Sequence, residues 1–156
     1  VGLSNFFANM MDEDTKKHSA EEMSVLLDKM GSSINISADL EQLWRRIVFN
    51  IAISNTDDHL RNHGFIVHNN GWHLSPAYDI NPSIYKNGLA LNIDMDNNSL
   101  DFELAKSVGT FFQLNSQKMN SIIKEVQLAV SSWRKIANQI GIPRNEQEKM
   151  AKAFLV

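Results

Sequence analysis

IVFNIAISNTDDHLRNHGF, residues 47–65, is the stretch that decides the fold. Residues 47–53 are apolar nearly all round, broken only by Asn50, which is the pattern of a helix buried on every side. Asn55, Thr56, Asp57, Asp58 and His59 follow at once, and this polar cluster predicts that the buried helix ends there in a loop. The same helix begins upstream, with Leu40, Leu43, Trp44, Ile47 and Ile51 along one stripe and Asp39 and Glu41 near its positive end. Ser37 is the expected cap. An earlier helix is announced by the capping-box pair Ser19 and Glu22, carries Met23, Leu26, Leu27 and Met30 at helical spacing, and stops at Gly31.

Beyond the loop, Phe65 and Val67 face Trp72 and Leu74 across Asn69-Asn70-Gly71, residues that supply the positive φ of a tight turn and so predict a β-hairpin. The segment from Pro76 to about residue 98 is rich in Asn, Asp and Gly and reads as a long functional loop with one strand-like stretch, residues 89–93. Helices are expected over residues 101–112 and 116–140, the second closed by Gly141 and Pro143. A last short helix would open on Asn145 and Glu148 at capping-box spacing and end near Phe154. The expected class is therefore mainly α, about five helices with one small hairpin carrying the polar loops. There is no internal repeat and no low-complexity tract.

The bulk properties agree with one domain spanning residues 1–156: 43% hydrophobic and 21% charged residues suffice for a single core. The apolar run at 47–53 is far too short to cross a bilayer, so no membrane association is expected. A net charge of -3 argues against a nucleic-acid surface over the whole domain. The absence of cysteine excludes disulfides and thiolate metal sites and is compatible with a cytoplasmic protein. The chain opens Val-Gly-Leu, as a fragment of a longer protein would.

Phosphoryl transfer asks little of a protein: a carboxylate beside the attacking hydroxyl, and hard oxygen ligands that hold magnesium against the phosphates. Asp57 and Asn62 stand in the spacing Asp-x-x-x-x-Asn, which puts both groups on one short turn. A hairpin returns the chain to its starting place, so Asp79 can come back beside Asn62. Other readings of the same residues are plain. Asp57 and Asp58 could cap or solvate a helix end, and Asp58 is read as structural. His59 and His63, four apart, could share a metal on a helix, yet lack the glutamate of His-Glu-x-x-His. Trp44, Trp133 and Phe111 read as core, Tyr78 as packing under Asp79, and residues 12–17 as a solvated loop.

Residues 49–65 closely resemble the catalytic core of HipA-like serine/threonine kinases, as does LSPAYDINP at residues 74–82; Trp133-Arg134 and Gly141-Ile142-Pro143 extend the resemblance more loosely. The resemblance implies a kinase C-lobe in which Asp57 is the catalytic base, His59 lies near the transferred phosphate, and Asn62 and Asp79 bind magnesium and, through it, ATP. It also implies a toxin of a toxin–antitoxin pair that phosphorylates a protein, such as an aminoacyl-tRNA synthetase, and is silenced by a HipB-like DNA-binding antitoxin. None of the seven glycines forms a Gly-x-Gly loop and no strand-borne phosphate lysine stands out, so the ATP-gripping lobe is expected to be missing and the fragment alone inactive. The rival functional class is a non-catalytic module that binds an antitoxin or other partner. A metal-dependent hydrolase comes third.

Overall fold

The computed structural model describes residues 19–31 and 35–156. The charged cluster at residues 12–17 lies outside them. Six α-helices and one hairpin make up the regular structure of the described residues. Helix α1, Ala20–Met30, starts on the expected capping box: the Ser19 hydroxyl accepts from the Glu22 N–H, and the Glu22 carboxylate accepts from the Ser19 N–H. Gly31 closes it.

Helix α2, Ile36–Ala52, is the hub. Helices α1, α3 (Phe102–Ser107) and α4 (Ser116–Ser131), the 3-10 turn Gly109–Phe112 and strand β2 (Gly71–Leu74) all pack on it. Leu40, Leu43, Trp44, Val48 and Ile51 are completely buried, as a helix apolar on most faces requires. The Trp44 indole N–H donates to the Ala105 carbonyl at 2.8 Å, which joins α2 to α3. The N-cap of α2 is Asn35, not Ser37; the Ser37 hydroxyl donates instead to Gln113 Oε1 at 2.9 Å, so it is not available to the helix start.

Strand β1, Phe65–His68, pairs antiparallel with β2 from Phe65 opposite Leu74 to His68 opposite Gly71. The hairpin is where the alternation placed it, but the positive φ of its turn falls on Gly71, at 128°. In the stretch 89–93 Leu89, Leu91 and Ile93 are buried, but so is Asn92, so the burial does not alternate throughout. It is no strand: among the described residues it forms one isolated bridge, Asn92 with Ser19, and Gly88 just before it forms another with Ser99.

The C-terminal helices depart from expectation in three places. The helix over 101–112 gives way after Ser107 to the 3-10 turn, which buries Phe112 and leaves Phe111 exposed, so Phe111 is not core. The helix over 116–140 breaks at Ser132 into α4 and α5 (Trp133–Gln139). There the hydroxyls of Ser131 and Ser132 donate to the carbonyls of Leu128 and Ala129, competing with the helical N–H groups for acceptors. After the break Trp133 is half-buried and stacks on Phe154 with ring centroids 4.2 Å apart. Helix α6, Arg144–Met150, takes Pro143 at its N-cap, with Asn145 already inside. Glu148 pairs with Arg134 and forms no capping box. No helix among the described residues is long and apolar enough to cross a membrane.

Candidate active site

Asn50, the one polar residue in the apolar run, explains how the loop begins. It is buried, and its side-chain and backbone oxygens both accept from Asn55: the Asn55 amide Nδ2 donates to Asn50 Oδ1 at 3.1 Å and the Asn55 N–H to the Asn50 carbonyl at 2.8 Å. Helix α2 therefore ends in a fixed turn, with Ser54 in the left-handed region at φ 51°. The C-terminus supports the same point, since the Leu155 N–H donates to the Ala52 carbonyl at 2.7 Å.

Asp57 emerges exposed from this turn, while Asp58 points inward and is buried. The 3-10 turn Leu60–Asn62 then folds Asn62 back, and its Nδ2 donates to the Asp57 carbonyl at 3.1 Å. That bond orients the amide, leaving Oδ1 as the atom that could face a cation. His59 is half-buried, and its Nδ1 has no hydrogen-bond partner among the described residues.

The hairpin does return the chain. The Ser75 N–H donates to the Gly64 carbonyl at 2.9 Å, and the two backbones approach so closely that a Cβ on Gly64 would lie 2.9 Å from Ser75 Oγ. Two further ties bracket Asp79. The Tyr78 hydroxyl donates to the Arg61 carbonyl at 2.6 Å, and the Ser83 N–H donates to the Ser54 carbonyl at 3.1 Å. Asp79 is thus adjacent in sequence to a residue bonded to the neighbour of Asn62. It is exposed and stands at φ 54°, a left-handed conformation that costs a non-glycine residue about 1 kcal/mol and that the ties on either side sustain. The Asn81 amide donates to Asp79 Oδ1 at 2.9 Å and fixes one oxygen of the carboxylate.

Three contacts at the site could not be read from the sequence. Tyr78 ties the loops together through its hydroxyl rather than only packing. Arg46, on α2, donates through Nη2 to the Ser75 carbonyl; burial pulls its pKa below the ordinary value, against the attraction of Asp58, Tyr78 and Asp39. Asp58 and His63 form a buried pair with Nε2 and Oδ1 2.8 Å apart. His63 Nε2 is therefore engaged with Asp58. Asn50 was the available signal for a specified loop. A groove of about 520 Å³, lined by Arg46, Phe49, Leu74, Pro76, Ile80 and Val126 among others, lies between α2, the segment after β2 and α4. Asp57, Asn62 and Asp79 do not line it.

Among the described residues no group of three or more His, Cys, Asp or Glu side chains could hold a metal ion. The donors offered by Asn62 and Asp79 are an amide oxygen and a carboxylate. That sparse, hard-oxygen set suits magnesium, which retains waters and takes the rest of its shell from phosphates, better than it suits zinc.

The fold defines a helical domain built on one buried helix, whose C-terminal loop carries Asp57 and Asn62 and is tied to the segment after the hairpin that carries Asp79. A protein-family model, the HipA-like C-terminal domain, matches residues 5–134, and the chain belongs to that family. No curated protein matches the chain.

Proposed function

We propose that this domain is the C-terminal catalytic half of a protein serine/threonine kinase that transfers the γ-phosphate of ATP to a protein hydroxyl. The single observation that carries the reading is the pair of ties, Tyr78 to Arg61 and Ser83 to Ser54, between the Asp79 segment and the loop bearing Asp57 and Asn62. Asp57, exposed at the loop, would orient the attacking hydroxyl and accept its proton. Asn62 and Asp79 would hold magnesium, which when bound neutralises phosphate charge. His59 would stand beside the transferred phosphate. The phosphate-gripping loop and lysine would come from another part of the polypeptide, since no Gly-x-Gly occurs in residues 1–156. Membership in the HipA-like family supports a toxin–antitoxin setting in the cytoplasm, with a HipB-like DNA-binding antitoxin as partner and a protein such as an aminoacyl-tRNA synthetase as substrate.

The test separates base from metal ligand. In the full-length protein, Asp57→Asn should lower phosphate transfer about 100-fold or more while Mg-ATP affinity changes little. Asp79→Asn removes a formal charge from the ion's ligands and should weaken both. Isothermal titration with Mg-ATP and transfer from γ-labelled ATP measure the two quantities. Equal loss of nucleotide affinity in both variants contradicts the division of roles, and unchanged transfer in Asp57→Asn removes Asp57 from the mechanism.

A further inference from the structure

Asp58 and His63 are the chain neighbours of Asp57 and Asn62, and both of their side chains are almost completely buried, at 3% and 1% exposure. Their contact, His63 Nε2 to Asp58 Oδ1 at 2.8 Å, spans the loop from one candidate functional residue to the other and encloses the turn Leu60–Asn62. The Asn62-to-Asp57 bond crosses the same loop one residue earlier at each end. The Leu91 N–H donates to the Asp58 carbonyl at 2.8 Å and pins that corner from outside the loop.

Among the described residues Asp58 Oδ2 and His63 Nδ1 have no hydrogen-bond partner, so no other described group extends the contact into a relay. Nor is net stability an adequate reason for it, because two ionisable groups removed from water recover little more than their desolvation cost. What such a link supplies is a fixed geometry. Arg46 faces Asp58 from α2 and acts on it electrostatically, while its Nη2 holds the Ser75 carbonyl on the segment leading to Asp79.

We propose that the buried Asp58–His63 pair is a positioning clasp that fixes Asp57 relative to Asn62. It rests on the kinase reading above but assigns a role to two residues that touch neither substrate nor ion. The loop has no regular helix or sheet beyond one short turn to hold it, and catalytic groups must be held within about 0.5 Å of their working geometry. A link between the two flanking residues meets that need.

The experiment measures ATP turnover by the full-length protein, with kcat and KM for Mg-ATP resolved, alongside thermal melts. His63→Ala should lower kcat about 10-fold or more with KM within about twofold of the parent, because positioning is lost while the nucleotide contacts remain. His63→Gln keeps an N–H donor and should return kcat to within about threefold of the parent. The double variant Asp58→Leu/His63→Ala should be no slower than the slower single variant, as expected when two residues act as one unit. Parent-like kcat in His63→Ala overturns the clasp, as does His63→Gln being as slow as His63→Ala. If His63→Ala does not melt cooperatively, Asp58→Leu, which fills similar space without an acceptor, carries the same expectation and the same refutation. Asp57→Asn, run in parallel, keeps the two ideas apart: unchanged turnover there sinks the kinase reading, whereas turnover lost there but intact in His63→Ala and Asp58→Leu sinks only the clasp.

Discussion

Tyr78→Phe removes one oxygen and with it the tie between the Asp79 segment and the Arg61 carbonyl, a bond of 2.6 Å. Tyr78 is 46% exposed, so water can hydrate the released carbonyl and no buried group is orphaned. The loss should fall in the lower part of the usual range for a hydrogen bond, about 0.5–1 kcal/mol. For a chain of this size that is a fall in Tm of about 1–4 °C, readable by scanning calorimetry. If the tie restrains Asp79 for ion binding, the same energy reappears as about a twofold to fivefold weaker Kd for Mg-ATP in the full-length protein. A fall in Tm beyond about 8 °C would show that the hydroxyl does more than tie two loops. A fall within the expected range with an unchanged Kd would refute the link between this bond and the metal ligand.

Two further substitutions test the scaffold. Trp44→Phe leaves the Ala105 carbonyl without its buried donor and opens a small cavity, so stability should fall by about 2–4 kcal/mol in urea unfolding; a loss under about 1 kcal/mol would mean that α2 and α3 are not joined there. Ser19→Ala breaks the capping box of α1 and should cost about 1 kcal/mol by the same assay, and no measurable change would remove the cap from the account.

The scaffold was legible wherever a local rule acts alone. Ser19 with Glu22, the Gly31 stop, the all-round apolar run of α2 and the hairpin each depend on residues within a few positions of one another. The sequence misled where a distant partner takes a group that local rules assign elsewhere: Ser37 is engaged by Gln113, 76 residues away, and Glu148 by Arg134. At the site, the turn from Asp57 to Asn62 could be read from spacing, and the return of the chain after it from the hairpin. The bonds that fix them could not, because Tyr78 reaches back 17 residues and Ser75 is held by Arg46 from 29 residues upstream. The sequence reads Asp58 as structural. Its buried partner His63 had no signature in spacing.

Paramagnetic broadening of backbone amides by Mn2+, with ATP present, reads out directly whether Asn62 and Asp79 share an ion. The expected result is broadening that centres on residues 62 and 79, includes 57, and disappears in Asp79→Asn. Broadening centred on residues away from 57, 62 and 79, or unchanged by Asp79→Asn, would contradict the assignment of the site.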